Sequence, residues 1–176
     1  KGKPSKISSS ISSDKIAGEN EDGSILEKTL KDVKLEDFFS FAGIKIGIDT
    51  IDKAYSIYGK PSSISDEKKY DFVSVYYDYK GVGIFDLSYD RITKKIDLVR
   101  VKNSIYSEQY FKTAKIEDIK LGFLNKDKNF IISCFGNPDR ISYGNYEFRG
   151  NKFLIDFICY DQNQHKCSQI YFQYFG

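Results

Sequence analysis

One phrase occurs twice in this chain of 176 residues: "IKIG…YGKP" from Ile44 to Pro61, and "IKLG…FGNP" from Ile119 to Pro138. The likeness extends beyond the phrase. "EDFFSFA" at Glu36 to Ala42 matches "EQYFKTA" at Glu108 to Ala114, and "YDYKG" at Tyr77 to Gly81 matches "YEFRG" at Tyr146 to Gly150. "FDL" at Phe85 to Leu87 matches "IDF" at Ile155 to Phe157, and a Tyr-Asp pair recurs at Tyr89 and Tyr160. Anchors kept in one order point to a duplicated unit of roughly 70 residues, which is too small to bury its own sheet well unless it leans on its twin. The expected organisation is a flexible tether at 1–23, a helix at 24–35, and repeat units at 36–104 and 105–176.

Within a unit the local signals agree. Asp49 or Thr50 caps a helix running to about Tyr58, whose inward stripe is Ile51, Ala54, Tyr55 and Tyr58; Gly59 supplies a left-handed stop, with Pro61 just beyond. The second copy offers Asn125 as cap, Ile131, Cys134 and Phe135 as stripe, and Gly136 as stop. Helices of two to three turns do not persist alone, so packing must hold them.

Phe and Tyr, at 14 each, fall in alternating stretches such as "DFVSVYYDY" and "KFLIDFICY", the pattern of half-buried strands. Strands are expected near 72–79, 82–89 and 94–101, and again near 141–149, 152–160 and 167–175, joined as antiparallel hairpins. Alternation sends Val73, Val75, Tyr77, Tyr79, Phe85, Leu87, Ile96 and Leu98 toward the helices, with Tyr146, Phe148, Ile155, Phe157, Ile170 and Phe172 in the second copy. Ile84, Leu154, Ile158 and Gln173 go to the other face, among charged and aromatic residues. The expected fold class is α+β: two tandem repeats, each a short helical element packed on an antiparallel β-sheet, with the sheets side by side as one extended face.

Charged residues make up 30% of the chain but are interleaved and sum to only +2, so neither a nucleic-acid groove nor a polybasic membrane patch is expected. No stretch approaches the roughly 18 apolar residues of a membrane-crossing helix. Residues 1–23 are rich in Ser, Lys and Gly, a composition that cannot offset the entropy of ordering a backbone. Tethers of this kind follow the lipid-bearing Cys of bacterial lipoproteins, and the chain contains no Met, as expected once a leader has been removed. An extracytoplasmic protein is therefore expected, secreted or held at the cell surface through a lipidated N-terminal segment. Ser24 and Glu27 stand in capping-box spacing at the head of an amphipathic stretch carrying Ile25, Leu26, Leu30 and Val33.

"FAGIKIGIDTIDKAYSIYGKP" and "IKLGFLNKDKNFIISCFGNP" resemble the repeated element of the β-lactamase inhibitor protein family, in which an aromatic residue, a hydrophobic residue and a Gly lead into a short Gly-stopped helix and then an antiparallel sheet. Phe41, Ile44, Gly47 and Gly59 match that pattern, as do Ile119, Gly122 and Gly136; Ile48-Asp49 and Phe123-Leu124 replace the Met-Thr pair the family carries after the Gly. The half-motif is also similar to the single copy in SmpA/OmlA-type envelope lipoproteins. The resemblance implies the fold and a non-enzymatic role in binding another protein. It carries over no inhibitory contact residue.

Chemical motifs are sparse. The single His165 lies in a hairpin loop with no nucleophile motif beside it, so no catalytic residue is expected. No His pair, calcium-loop spacing or phosphate loop is present, so neither metal nor cofactor is expected. Asp86 and Asp156 are pseudo-equivalent carboxylates, which repeat symmetry explains without chemistry; glycoside hydrolysis would need them roughly 5 to 10 Å apart. Cys134, Cys159 and Cys167 allow a Cys159–Cys167 hairpin bridge, although strand parity places those two on opposite faces unless a bulge intervenes. A Cys134–Cys159 bridge and three reduced thiols stay open.

Tyr is enriched where a ring is buried against a partner and its hydroxyl stays wet. Tyr76, Tyr160 and Tyr171, with Asp78, Asp86, Glu147, Arg149 and Asp156 around them, make the face away from the helices the candidate surface for a protein partner. An envelope-assembly accessory is the alternative among binding proteins. A carbohydrate-binding or carbohydrate-active protein using the same aromatics is the alternative from another class.

Overall fold

The computed structural model describes residues 26–79, 82–104, 106–114, 116–159 and 166–176. The expected tether, Ser24 of the expected capping box, Tyr160 and His165 lie outside these residues. Helix α1 (26–31) leads to a 3-10 turn at Leu35–Phe39, a two-strand hairpin of β1 (Ser40–Phe41) and β2 (Ile44–Lys45), and helix α2 (Ile51–Tyr58). Then come β3 (Ser63–Ser65), β4 (Phe72–Tyr79), β5 (Val82–Asp90) and β6 (Ile96–Lys102). Helix α3 (Ser107–Thr113), a 3-10 turn at Ile119–Phe123 and helix α4 (Lys128–Phe135) precede β7 (Arg140–Ser142), β8 (Asn145–Arg149), β9 (Phe153–Ile158) and β10 (Gln169–Tyr174).

The eight strands from β3 to β10 form one antiparallel sheet in the order β3-β4-β5-β6-β10-β9-β8-β7. The architecture is thus mixed α and β with one large antiparallel sheet. β6 and β10 meet at its centre, and the outermost strands, β3 and β7, are three residues each. Such short edges offer little template for further pairing.

Helices pack on one face through aromatic rings. Tyr58 of α2 meets Tyr77 and Phe85 edge-on, at centroid distances of 5.8 and 5.0 Å, while Phe135 of α4 stacks on Phe157 at 5.5 Å. Phe38 and Phe39, in the turn before β1, reach Phe157 and Phe172. The inward residues of both stripes follow the expectation, with Ile51, Ala54 and Ile131 fully packed and Tyr55, Cys134 and Phe135 half-buried.

Both eight-residue helices end on a Gly with nearly the same backbone angles, φ 79° and ψ −162° at Gly59, φ 81° and ψ −161° at Gly136. That region is essentially closed to residues with a Cβ. At the other end of α4 the cap is Asp127, whose Oδ1 accepts from the Phe130 backbone N at 2.9 Å. The expected cap, Asn125, instead sits at φ +73° and donates its backbone N–H to the Cys167 carbonyl. Preceding the helices, the matched phrases diverge: Glu36 to Ala42 makes a 3-10 turn and β1, whereas Glu108 to Ala114 is mostly α3. "IKIG" begins in β2 and "IKLG" lies in a 3-10 turn.

Alternation predicts most of the inward face, and it fails at two bulges. Register shifts between Ser88 and Tyr89 where β5 meets β6, so Leu98 pairs with Ser88 on the open face and Val99, 3% exposed, turns inward beside Leu87. A second shift between Tyr77 and Asp78 takes Ile84 out of the alternation, and this side chain, expected on the open face, is completely buried in the core.

Cys159 and Cys167 form a disulfide across a Cα separation of 3.8 Å, and Cys134 keeps a free thiol. The regular ladder ends at Ile158 opposite Gln169, so both cysteines lie past it and strand parity does not govern them. Ala42, at the β1–β2 turn, donates its backbone N–H to Asp118 Oδ2 at 2.7 Å, and Asp118 pairs in turn with the buried Lys120 at 2.9 Å. This polar knot ties the first hairpin to the segment leading into α4.

Candidate functional site: the open face of the sheet

Side chains that point away from the helices line up in register across all eight strands. From one edge to the other, the cross-strand partners are Ser63, Tyr76, Asp86, Arg100, Tyr171, Asp156, Glu147 and Arg140. The row is polar or aromatic at every position. The ring contacts between helices and sheet among the described residues fall on the opposite face.

Asp86 is 2% exposed, so it is not the free contact residue that its position in the alternation suggests. Arg100 places both Nε and Nη2 on its Oδ2, and Lys102 Nζ reaches the same oxygen at 3.2 Å. Its other oxygen, Oδ1, is buried without a hydrogen-bond partner. Sequence reasoning missed Arg100 and Lys102 because counting by twos from Ile96 aims them at the helices; the bulge at Asp97 reverses that. The opposite charges of Arg100 and Asp86 on neighbouring strands were the signal available.

Asp156 occupies the corresponding place in the other half of the row, but its neighbour on the central strand is Tyr171 where Asp86 has Arg100. No cation reaches it among the described residues. Burial, and then the nearby Glu147 carboxylate, push its acid up to about 6, and its Oδ1 is also buried and unpartnered. Glu147 is held from the far side by Arg149 Nε at 2.6 Å. Arg140, Ser142, Asn145, Glu147 and Asp156 enclose a small polar hollow of about 150 Å³.

The other predicted site residues are dispersed around this row. Tyr76 and Tyr171 lie in it, both half-buried, and the Tyr171 hydroxyl donates to Gln173 Oε1 at 3.1 Å. Asp78 sits at the β4 bulge with its backbone N–H on Ser62 Oγ, and Arg149 is exposed at the end of β8. Tyr160 falls outside the described residues. Asp97, at the β6 bulge, has its acid raised to about 6 by burial and lines a separate hollow with Lys95 and Gln173.

Asp86 and Asp156 are three strand spacings apart, roughly 14 Å. That is too far for two carboxyl groups to act on one glycosidic bond. No cluster of three or more His, Cys, Asp or Glu suited to a metal ion occurs among the described residues, and no helix there is long and apolar enough to cross a membrane.

No family model and no curated protein sequence matches the chain. Among solved structures, the crystal structure of a DUF4309 family protein (YjgB) from Bacillus subtilis is similar, with a TM-score of 0.50 and 14% identity over 85% of this chain and 93% of that one. At that identity the likeness concerns the fold alone.

Proposed function

We propose that this chain is a non-enzymatic protein-binding module that captures a protein partner on the open face of its sheet. The observation that carries this reading is the eight-residue polar and aromatic row, in register from Ser63 to Arg140 and turned away from the helices. Tyr and Arg, the residue types enriched at protein interfaces, fill four of its eight places as Tyr76, Arg100, Tyr171 and Arg140. We further propose that the chain is a tandem duplication akin to the β-lactamase inhibitor protein family. The matched glycine stops of α2 and α4 and the mirrored strand order about β6 and β10 support this, while the unlike segments before each helix mark where the copies have drifted. An extracytoplasmic site, with a lipid anchor through an N-terminal segment, completes the proposal.

The test is capture from bacterial envelope extract and culture fluid on immobilised protein, comparing the native chain with Tyr171→Ala, Arg149→Glu and the pair combined. Both side chains reach the surface, so these changes leave the core alone. A partner held by the native chain and lost by the double variant is the expected result; a partner held equally by both counts against the open face.

A further inference from the structure

Strands of the sheet alternate in direction, so each of its ends gathers turns that are far apart in sequence. At one end stand the turn between β5 and β6 (91–95), the link from β2 to α2 (46–50), and Phe175 just past β10. These segments are fastened to one another. Gly47 donates its backbone N–H to the Ile96 carbonyl, Ile51 donates to Lys94, and the Tyr174 ring lies against Gly47 so closely that no Cβ fits there.

Each segment holds a large apolar side chain out in water: Ile92 is 88% exposed, Ile48 67% and Phe175 55%. Beside the same β5–β6 turn, where Phe72 pairs with Asp90, Tyr70 and Phe72 stack at a centroid distance of 5.1 Å and are each 43% exposed. Single exposed apolar residues need no explanation, but five gathered at one end of a sheet do.

Lysines stand next to these tips. The carbonyls of Lys45 and Lys152 accept from the backbone N–H groups of Ile48 and Phe175, and Lys94 and Lys95 close the turn that carries Ile92. No ion pair among the described residues takes up any of these four ammonium groups. The acids of the same turns are engaged instead: Asp49 accepts from Lys53 and the Lys45 backbone, and Asp90 accepts from Ile92 and twice from Thr93. Glu36 and Asp52 stand at the flanks, in the turn before β1 and on α2.

We propose that this end of the sheet seats on an anionic lipid surface, with Ile48, Ile92 and Phe175 entering the acyl boundary and the four lysines meeting lipid phosphates. Aliphatic tips, aromatic rings at the water boundary and lysines whose stems run along apolar surface make up an interfacial contact. Shape favours lipid over a folded partner, because side chains protruding from separate turns need a medium that closes around each of them. The lysines are scattered in the sequence, at 45, 94, 95 and 152, and only the folded sheet collects them. This seat lies at the strand ends rather than on the open face, so it does not rest on the function proposed above.

The experiment uses the full chain with vesicles of phosphatidylglycerol and phosphatidylcholine in equal parts, against vesicles of phosphatidylcholine alone. The chain contains no Trp, so Ile92→Trp is a single reporter of insertion; Tyr143→Trp, at a 96% exposed position in the β7–β8 turn at the opposite end, is its control. The expected result is a blue shift of Ile92→Trp emission with the anionic vesicles and an unchanged Tyr143→Trp. In co-sedimentation, Ile48→Ser with Phe175→Ser, and separately Lys45→Glu with Lys152→Glu, are each expected to weaken binding at least about tenfold. Unchanged circular dichroism and unfolding temperature verify that these surface variants fold. No sedimentation of the native chain, equal binding to phosphatidylcholine alone, or equal shifts of both reporters overturns the proposal. Self-association without vesicle binding, lost in the serine pair, assigns this end to a second copy of the chain and likewise overturns it.

Discussion

Arg100 sets two guanidinium nitrogens on one oxygen of Asp86, at the middle of an eight-strand sheet and on the face away from its helices. The carboxylate is 3% exposed while the arginine is 33% and Lys102 29% exposed. That asymmetry decides which deletion hurts more. Arg100→Met leaves a buried anion with Lys102 alone and is expected to cost about 3 kcal/mol. Asp86→Asn frees two cations that turn toward water, and its cost is expected to be smaller, about 1 to 2 kcal/mol. Urea unfolding of the two variants checks the order; an equal or reversed cost means that water reaches the Asp86 carboxylate.

Gly59 and Gly136 share one backbone conformation, and a Cβ on either meets nothing within 4 Å. Substitution by Ala at either site therefore carries only the backbone penalty, expected at about 1 to 3 kcal/mol. The two costs are expected to agree within about 0.5 kcal/mol, and to add in the double variant, since distant sites act independently. Thermal unfolding of the three variants measures both.

The Cys159–Cys167 bridge closes a loop between β9 and β10 with a sequence separation of eight. A loop of that size restricts the unfolded chain by about 2 to 3 kcal/mol. Reductant is expected to lower the unfolding temperature by about 5 to 10 °C. Cys134 is outside the bridge, so Cys134→Ser is expected to leave that difference unchanged.

Asp97 and Asp156 both have acids raised to about 6 from an ordinary 3.8. Burial is the first cause for each. A carboxyl whose acid is weaker in the folded chain binds more protons folded than unfolded between those two values. Its contribution to stability is thus complete below about pH 4 and is lost as the pH rises through about 6. Asp97→Asn with Asp156→Asn is expected to flatten that fall, as measured by unfolding midpoints across the interval; a slope identical to that of the native chain places both groups in water.

Much of this protein is determined by local chemistry and is legible in the chain. The strands follow from alternating aromatic and β-branched residues, and Gly59 and Gly136 end their helices because no other residue occupies that backbone region cheaply. Tyr76 and Tyr171 reach the open face by parity alone. Other features required the assembled sheet. A bulge opposite Ser88 costs one residue of register, and with it Leu98, Arg100 and Lys102 change face; the alternation Val99-Arg100-Val101-Lys102 fits the new register, but that a slip occurs after Ile96 is settled by how neighbouring strands pair. The same holds for Glu36–Ala42 and Glu108–Ala114, which match in letters and differ in conformation, since segments this short take the shape their packing imposes. Burial, too, belongs to the tertiary structure. Sequence places Asp86 and Asp156 in equivalent positions, but only the strands beside them give one a pair of cations and the other a second acid.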